Sequence, residues 1–197
     1  MIAVVTAVAP LPSARAADIA AGRKKAEACA ACHGPDGNAT QLPTPSLAGQ
    51  PVFYTHWQLI LFRDGRRRDS QMSPFAANLT DAEMTDLAAY YATQKPVPRP
   101  ATPGNAETMS EGEQLAQFHH CASCHSPDLT GPRYTPHLAG QSYEYLAKQL
   151  REFKARTRGE LDGATMSSAV QALRERDIEI LARYFAALPL PTSSPRP

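Results

Sequence analysis

Cys29-Ala30-Ala31-Cys32-His33 and Cys121-Ala122-Ser123-Cys124-His125 are one pattern, Cys-x-x-Cys-His, written twice at an offset of 92. Together they use all 4 cysteines of the 197-residue chain. The surroundings repeat with them. Pro45-Ser46-Leu47-Ala48-Gly49-Gln50 returns as Pro136-His137-Leu138-Ala139-Gly140-Gln141, offset by 91. Tyr54, Gln58, Leu59 and Phe62 return as Tyr145, Gln149, Leu150 and Phe153 at the same offset. Met72-Ser73 returns as Met166-Ser167, offset by 94, and Leu79, Leu87, Ala88, Tyr90 and Ala92 follow as Leu173, Leu181, Ala182, Tyr184 and Ala186. Offsets that drift so little describe two copies of one unit with small loop insertions. A unit of about 90 residues is domain-sized, well beyond a solenoid repeat.

Cys-x-x-Cys-His reads as a c-type haem attachment site. On one helical turn, two cysteines three apart share a side and reach the two vinyl groups of one haem. The adjacent histidine then turns a ring nitrogen to the iron. Rival readings fit less well. A four-cysteine zinc site separates its pairs by about 15–20 residues, and Cys32 lies much farther than that from Cys121. A thioredoxin-like pair needs a βαβ context, and no strand alternation is present. Two disulfides would leave His33 and His125 without a role. Two covalent haem c groups are therefore expected, on Cys29 with Cys32 and on Cys121 with Cys124, with His33 and His125 as axial ligands.

The second axial ligands are read as Met72 and Met166, which hold equivalent places 39 and 41 residues after the two histidines. Each is expected in a loop before the last helix of its copy. Thioether ligation favours reduced iron and raises the potential, which suits an electron carrier. Met84 aligns with Ile178 and reads as core. Met109, opposite Ala17, reads as incidental. His56, His119, His120 and His137 have no repeated partner and read as surface or packing residues. A haem-ligating histidine donates its other ring nitrogen to a carbonyl. The carbonyls of Pro45 and Pro136 are candidates, and both prolines read equally well as loop terminators.

Each copy is expected to be all-α, with three main helices around its haem. In copy one these are Asp18–Ala31, Val52–Arg63 after Pro51, and the run opened by the capping-box pair Thr80 and Glu83. In copy two they are Ser110–Cys121, with Ser110 and Glu113 as a second capping box, then Ser142–Arg156 and Arg174–Leu188. Three short helices make a small core, stable only with something large at its centre.

Residues 1–16 read as an export signal. Ile2 to Ala9 are almost entirely apolar, and Ala14-Arg15-Ala16 fits small-x-small cleavage, although no Lys or Arg precedes the apolar run. The weaker reading is an apolar tail. Cleavage leaves a mature chain starting Ala17-Asp18, with a copy at 17–94, a Pro-rich spacer at 95–108, a copy at 109–188 and a frayed tail at 189–197. With 20 Lys+Arg against 19 Asp+Glu, the charge lacks the basic excess of a nucleic-acid binder. No apolar run suffices for a transmembrane helix.

On Cys29-Ala-Ala-Cys-His-Gly-Pro-Asp-Gly37, Pro45-Ser-Leu-Ala-Gly-Gln50, Met72-Ser-Pro-Phe-Ala-Ala-Asn-Leu79 and Asp86-Leu-Ala-Ala-Tyr-Tyr-Ala92, the chain resembles the dihaem cytochrome c4 family. The resemblance runs from about Ala17 to Leu188. It implies two tandem class I cytochrome c domains, His/Met ligation, haems close together and electron transfer in the periplasm. It also implies redox partners: a cytochrome bc complex or dehydrogenase as donor and a terminal oxidase as acceptor. The alternative is a bound electron-transfer subunit of a periplasmic dehydrogenase, with peripheral membrane association through its partner. A peroxidase-type enzyme would need an open iron position, against which the paired methionines speak. Copy two departs from the pattern at Ser126-Pro127-Asp128-Leu129 and lacks a proline after Met166-Ser167. Finally, Arg66-Arg67-Arg68, four residues before Met72, reads first as a solvated turn and second as a cationic docking patch, with a diluted counterpart around Arg156 and Arg158.

Overall fold

The computed structural model describes residues 15–99, 104–158 and 163–190. Among the described residues the chain is helical, with no strand. Most of the expected signal, residues 1–14, lies outside them, as do parts of the spacer, of the loop before Met166 and of the tail.

Copy one opens with α1 (Ile19–Ala26), whose first turn is capped by the Asp18 carboxylate accepting the Ala21 N–H at 3.0 Å. The helix was expected to continue to Ala31. It tightens instead, with the N–H groups of Glu27, Ala28 and Cys29 reaching back only three residues, a 3₁₀-like turn of the kind that ends helices. That turn re-aims the chain into α2 (Ala30–His33), which carries the cysteine motif. Next come α3 (Val52–Arg63), as expected, a short α4 (Met72–Ala76), and α5 (Asp81–Thr93) behind the Thr80/Glu83 capping box.

Copy two repeats the plan as α6 (Ala106–Phe118), α7 (Cys121–His125), α8 (Tyr143–Lys154), α9 (Ala164–Ala169) and α10 (Glu175–Ala187). The expected start at Ser110 is corrected. Asn105 accepts the Thr108 N–H at 2.8 Å and caps the helix a turn earlier. With an earlier cap available, Ser110 is an exposed interior residue, and the helix takes in the end of the segment read as spacer. Three main helices per copy are present, joined by two short ones.

α1 crosses α5, and α6 crosses α10, at glycines. A Cβ on Gly22 would stand 2.1 Å from the Asp86 carbonyl oxygen, and one on Gly112 2.3 Å from the Tyr184 Cβ. Only a residue without a side chain lets the backbones approach so closely. The crossings seal small cores. Met84, Leu87 and Ala88 of α5 are buried in copy one, as are Ile178, Leu181 and Ala182 of α10 in copy two. Met84 and Ile178 are both fully buried, as expected of core residues.

The two copies pack face to face through reciprocal contacts. The Gln50 side chain exchanges two hydrogen bonds with the His137 backbone, at 3.0 and 3.1 Å. Its counterpart Gln141 does the same with Ser46, at 2.9 Å each. Each partner thus presents the same patch to the other, as in an isologous dimer. The start of the spacer straps onto copy one: the Val97 N–H donates to Asn38, and Arg99 donates to the Thr44 and Gln41 carbonyls. At the other end Leu190, within the segment read as a frayed tail, packs against Gly140.

Candidate functional site

The two cysteine turns have the same geometry. His33 and His125 are each 5 % exposed, at the ends of α2 and α7. His33 Nδ1 lies 2.9 Å from the Pro45 carbonyl oxygen, and His125 Nδ1 lies 3.1 Å from that of Pro136. A carbonyl can only accept, so Nδ1 carries the proton and Nε2 keeps its lone pair. Burial pushes both imidazoles below the ordinary histidine range, the carbonyl contact opposing in part. A neutral ring with a free Nε2 is the form that binds a metal. Of the two roles open to Pro45 and Pro136, the carbonyl contact is thus present in both copies.

None of the four cysteines is paired in a disulfide. Cys29 and Cys121 are half-buried and their thiols are pushed up by burial, while Cys32 and Cys124 are exposed. Among the described residues no cluster of three or more His, Cys, Asp or Glu forms a metal cage. The donor set fits a group that brings its own metal and needs only thiols, one imidazole and one thioether.

Met72 and Met166 are half-buried before the last helix of each copy, but not in open loops. That expectation is corrected: Met72 opens α4, and Met166 lies inside α9. The chain around Met72 is held by Asp69. Its Oδ1 accepts the N–H groups of Met72 at 2.9 Å and Gln71 at 3.0 Å, and its Oδ2 accepts from Lys148 of copy two at 2.7 Å. Burial would raise the Asp69 carboxyl, but these donors hold it down to about 2.

The arginine run also differs from its reading. Arg67 is 7 % exposed, and so is Arg158. Both lie in the face between the copies. Arg67 donates to Gln58 at 2.6 Å, Gln149 at 2.8 Å and Tyr145 at 3.1 Å. Arg158 donates to Gln149 at 2.6 Å and to Gln58 and Tyr54 at 3.1 Å each. Neither a solvated turn nor a docking patch describes Arg67, because its guanidinium is spent inside the molecule. Sequence reasoning missed this pair. The signal was there: Tyr54, Gln58 and Arg67 recur as Tyr145, Gln149 and Arg158, all offset by 91. Neither buried guanidinium makes an ion pair among the described residues, although buried cations ordinarily need an anion.

Of the remaining histidines, read as surface or packing residues, His120 is exposed, His56 and His119 are half-buried, and His137 is buried. His137 is buried between the copies and its imidazole is pushed down to about 4 by burial. His119 stands edge-on to Phe118, ring centroids 5.0 Å apart.

Two helical units, each presenting a cysteine-histidine turn and a methionine before its last helix, define a dihaem c-type cytochrome of two class I domains. The comparisons agree. Residues 16–90 match the family model described as cytochrome C oxidase, cbb3-type, subunit III, and residues 109–188 match that described as cytochrome c. Cytochrome c4 of Pseudomonas aeruginosa is 39 % identical over 181 residues, covering 88 % of this chain and 90 % of that protein. A thiosulfate dehydrogenase electron acceptor of Thiomonas intermedia is 34 % identical over 185 residues, covering 89 % and 85 %. The crystal structure of reduced recombinant cytochrome c4 from Pseudomonas stutzeri superimposes with a TM-score of 0.80 at 32 % identity, covering 88 % of this chain and 100 % of that one. The chain belongs to the cytochrome c4 family. It is an electron-transfer cytochrome carrying two covalently bound haem c groups.

Proposed function

We propose that Cys29 with Cys32, and Cys121 with Cys124, form the thioether links, and that His33 with Met72, and His125 with Met166, are the axial pairs. The bound haem supplies reversible one-electron chemistry at iron. The chain's own residues do the rest. The Pro45 and Pro136 carbonyls orient the imidazoles, and the methionines would hold the iron from the protein side and keep substrates from it. Arg67 and Arg158 offer buried positive charge, which the haem propionates would balance. The observation that carries the reading is the matched bond from histidine Nδ1 to proline carbonyl behind both motifs.

In this reading residues 1–16 are an export signal. The domains are 17–94 and 109–188, with 95–108 as spacer and 189–197 as tail. The protein works in the periplasm, shuttling electrons from a cytochrome bc complex or dehydrogenase to a terminal oxidase or other acceptor. Among the described residues no helix is long and apolar enough to cross a membrane, so membrane association would run through a partner. A second reading, a bound subunit of a periplasmic dehydrogenase, draws support from the thiosulfate dehydrogenase electron acceptor among the relatives.

Denatured mature protein should retain two haems per chain in a pyridine haemochrome assay, and Cys29→Ser with Cys32→Ser should retain one. Loss of haem to acid acetone would overturn covalent attachment. Elution of the native protein as a single chain supports the shuttle, and co-elution with a dehydrogenase supports the subunit.

A further inference from the structure

Asp86 is a buried carboxylate on α5, 4 % exposed, in a position whose copy-two counterpart is Ile180. Two groups converge on it, both from the chain just before α1. The Asp18 N–H donates to Oδ1 at 2.7 Å. The Arg15 guanidinium donates to Oδ1 at 3.1 Å and to Oδ2 at 3.0 and 3.1 Å. Arg15 is thus the cation that matches the buried charge, yet it lies on the leader side of the expected cleavage after Ala16. Cutting there removes the partner of a carboxylate that burial makes costly to leave alone. The same cut creates a new cation. Successive backbone nitrogens lie within about 3.7 Å of each other, and the Asp18 nitrogen already touches Asp86.

We propose that Asp86 is the receptor for the processed chain end: the Ala17 α-ammonium, created by cleavage, replaces the Arg15 guanidinium as its counter-ion. The inference rests on the export reading above. It also explains why only one copy carries the acid. Copy two enters α6 from the spacer and has no chain end to receive, so Ile180 can be apolar there. The close crossing at Gly22 holds Asp86 against the start of α1. The other charges near Asp86 are already engaged. Asp18 caps α1 and stands 3.9 Å from Arg15, and Lys25 of α1 pairs with Glu83 of α5 at 2.6 Å. From α3, His56 and Arg63 face Asp81, with which Arg63 pairs at 2.6 Å. Tyr90, a turn along α5, donates to the Pro35 carbonyl at 3.0 Å.

An α-ammonium that gains a buried partner titrates above its ordinary range of about 7.7–8.0. Its stabilisation is then complete below that range and is lost as pH rises through the raised value. The test uses exported holoprotein, whose intact mass should place the first residue at Ala17. Competitive acetylation with acetic anhydride between pH 6 and 10, read by mass spectrometry of the N-terminal peptide, should show the α-amine titrating above its ordinary range. In Asp86→Asn it should return to that range. That variant should melt roughly 5 °C below wild type at pH 7, the gap closing as pH rises past the raised value. An ordinary α-amine on a chain that does begin at Ala17 overturns the inference and leaves the export reading standing. A chain that keeps Arg15 overturns both. The wild-type titration decides the matter even if the variant does not fold.

Discussion

Copy one and copy two leave the histidine of the cysteine motif through the same backbone conformation with different residues. Gly34 has φ 77° and ψ 159°, and Ser126 has φ 69° and ψ 156°. That region is essentially glycine's, and another residue there costs about 1–3 kcal/mol. Three residues on, Gly37 at φ 82° is matched by Leu129 at φ 56°. Both carbonyls then accept the two N–H groups of the repeated Leu-Ala, Leu47 and Ala48 or Leu138 and Ala139. The task of the turn, aiming the histidine at the proline carbonyl, therefore dictates its shape more firmly than local preference does. Copy two offsets part of the strain. Leu129 is 4 % exposed within the copy-two core. Burying a leucine is worth about 1.5–3 kcal/mol, against about 1–2 kcal/mol for a left-handed residue.

The methionine segments differ in a related way. Asp69 anchors Met72 through side chain and backbone, its carbonyl accepting the Ser73 N–H at 3.0 Å. In copy two the corresponding Gly163 keeps only the backbone bond, to Ser167 at 2.7 Å. Met166 is steadied instead by packing against the copy-two core. Met72 is tied by polar bonds across the face between the copies, Met166 by apolar contact within its own copy.

The largest expected effect separates the two irons. Met72→Ala should open one site to carbon monoxide and lower its potential, leaving half the haem six-coordinate and low-spin, and Met166→Ala should open the other. Carbon monoxide binding at both haems of the wild-type protein would remove the ligand assignment altogether.

A smaller effect tests the exchange of glycine for side chain after the histidines. A Cβ at position 34 would meet the Asn38 carbonyl oxygen at 2.4 Å, so Gly34→Ser should cost copy one about 2–3 kcal/mol. Ser126→Gly should stabilise copy two by about 1–2 kcal/mol, a rise in Tm of roughly 5 °C in thermal unfolding of the holoprotein. If Ser126→Gly lowers Tm, the conformation is not strained in copy two.

The smallest effect concerns acid. Asp69 is held down to about 2 in the folded state, below an unfolded carboxyl near 3.9. A depressed carboxyl contributes stability that is complete above its unfolded pKa and lost as pH falls through the folded value. Between about pH 4 and 2, wild type should therefore lose stability that Asp69→Asn never had. The Met72 iron should also become accessible to exogenous ligands before the Met166 iron. Equal sensitivity of the two irons would show that Asp69 does not support Met72.

Much of the candidate site is legible in the linear chain, because haem attachment is a local constraint. Two thiols and an imidazole must share one helical turn, and that demand writes Cys-x-x-Cys-His directly. The helical plan is legible for a related reason: caps such as Thr80 with Glu83, and apolar spacing along Val52–Arg63, act within a few residues. The misreadings fall where two local signals compete. Asn105 outbids Ser110 as a cap, and the tightened turn at Glu27–Cys29 stops α1 short of the motif it was expected to carry.

The face between the copies is a different kind of fact. Gln50, Gln141, Arg67 and Arg158 repeat in the sequence, and repetition alone says nothing of whether their partners lie in their own copy or in the other one. Three arginines in a row read as a surface because a single guanidinium is costly to bury. Folding reverses this for Arg67, since Gln58, Gln149 and Tyr145 meet only when the two units dock. Asp86 teaches the same point. Its position on α5 is readable, but that it faces Arg15 and the Asp18 N–H depends on how closely α1 can approach at Gly22. Local chemistry declares itself in order along the chain, whereas the matching of buried charges is settled by residues far apart that only the packed helices bring together.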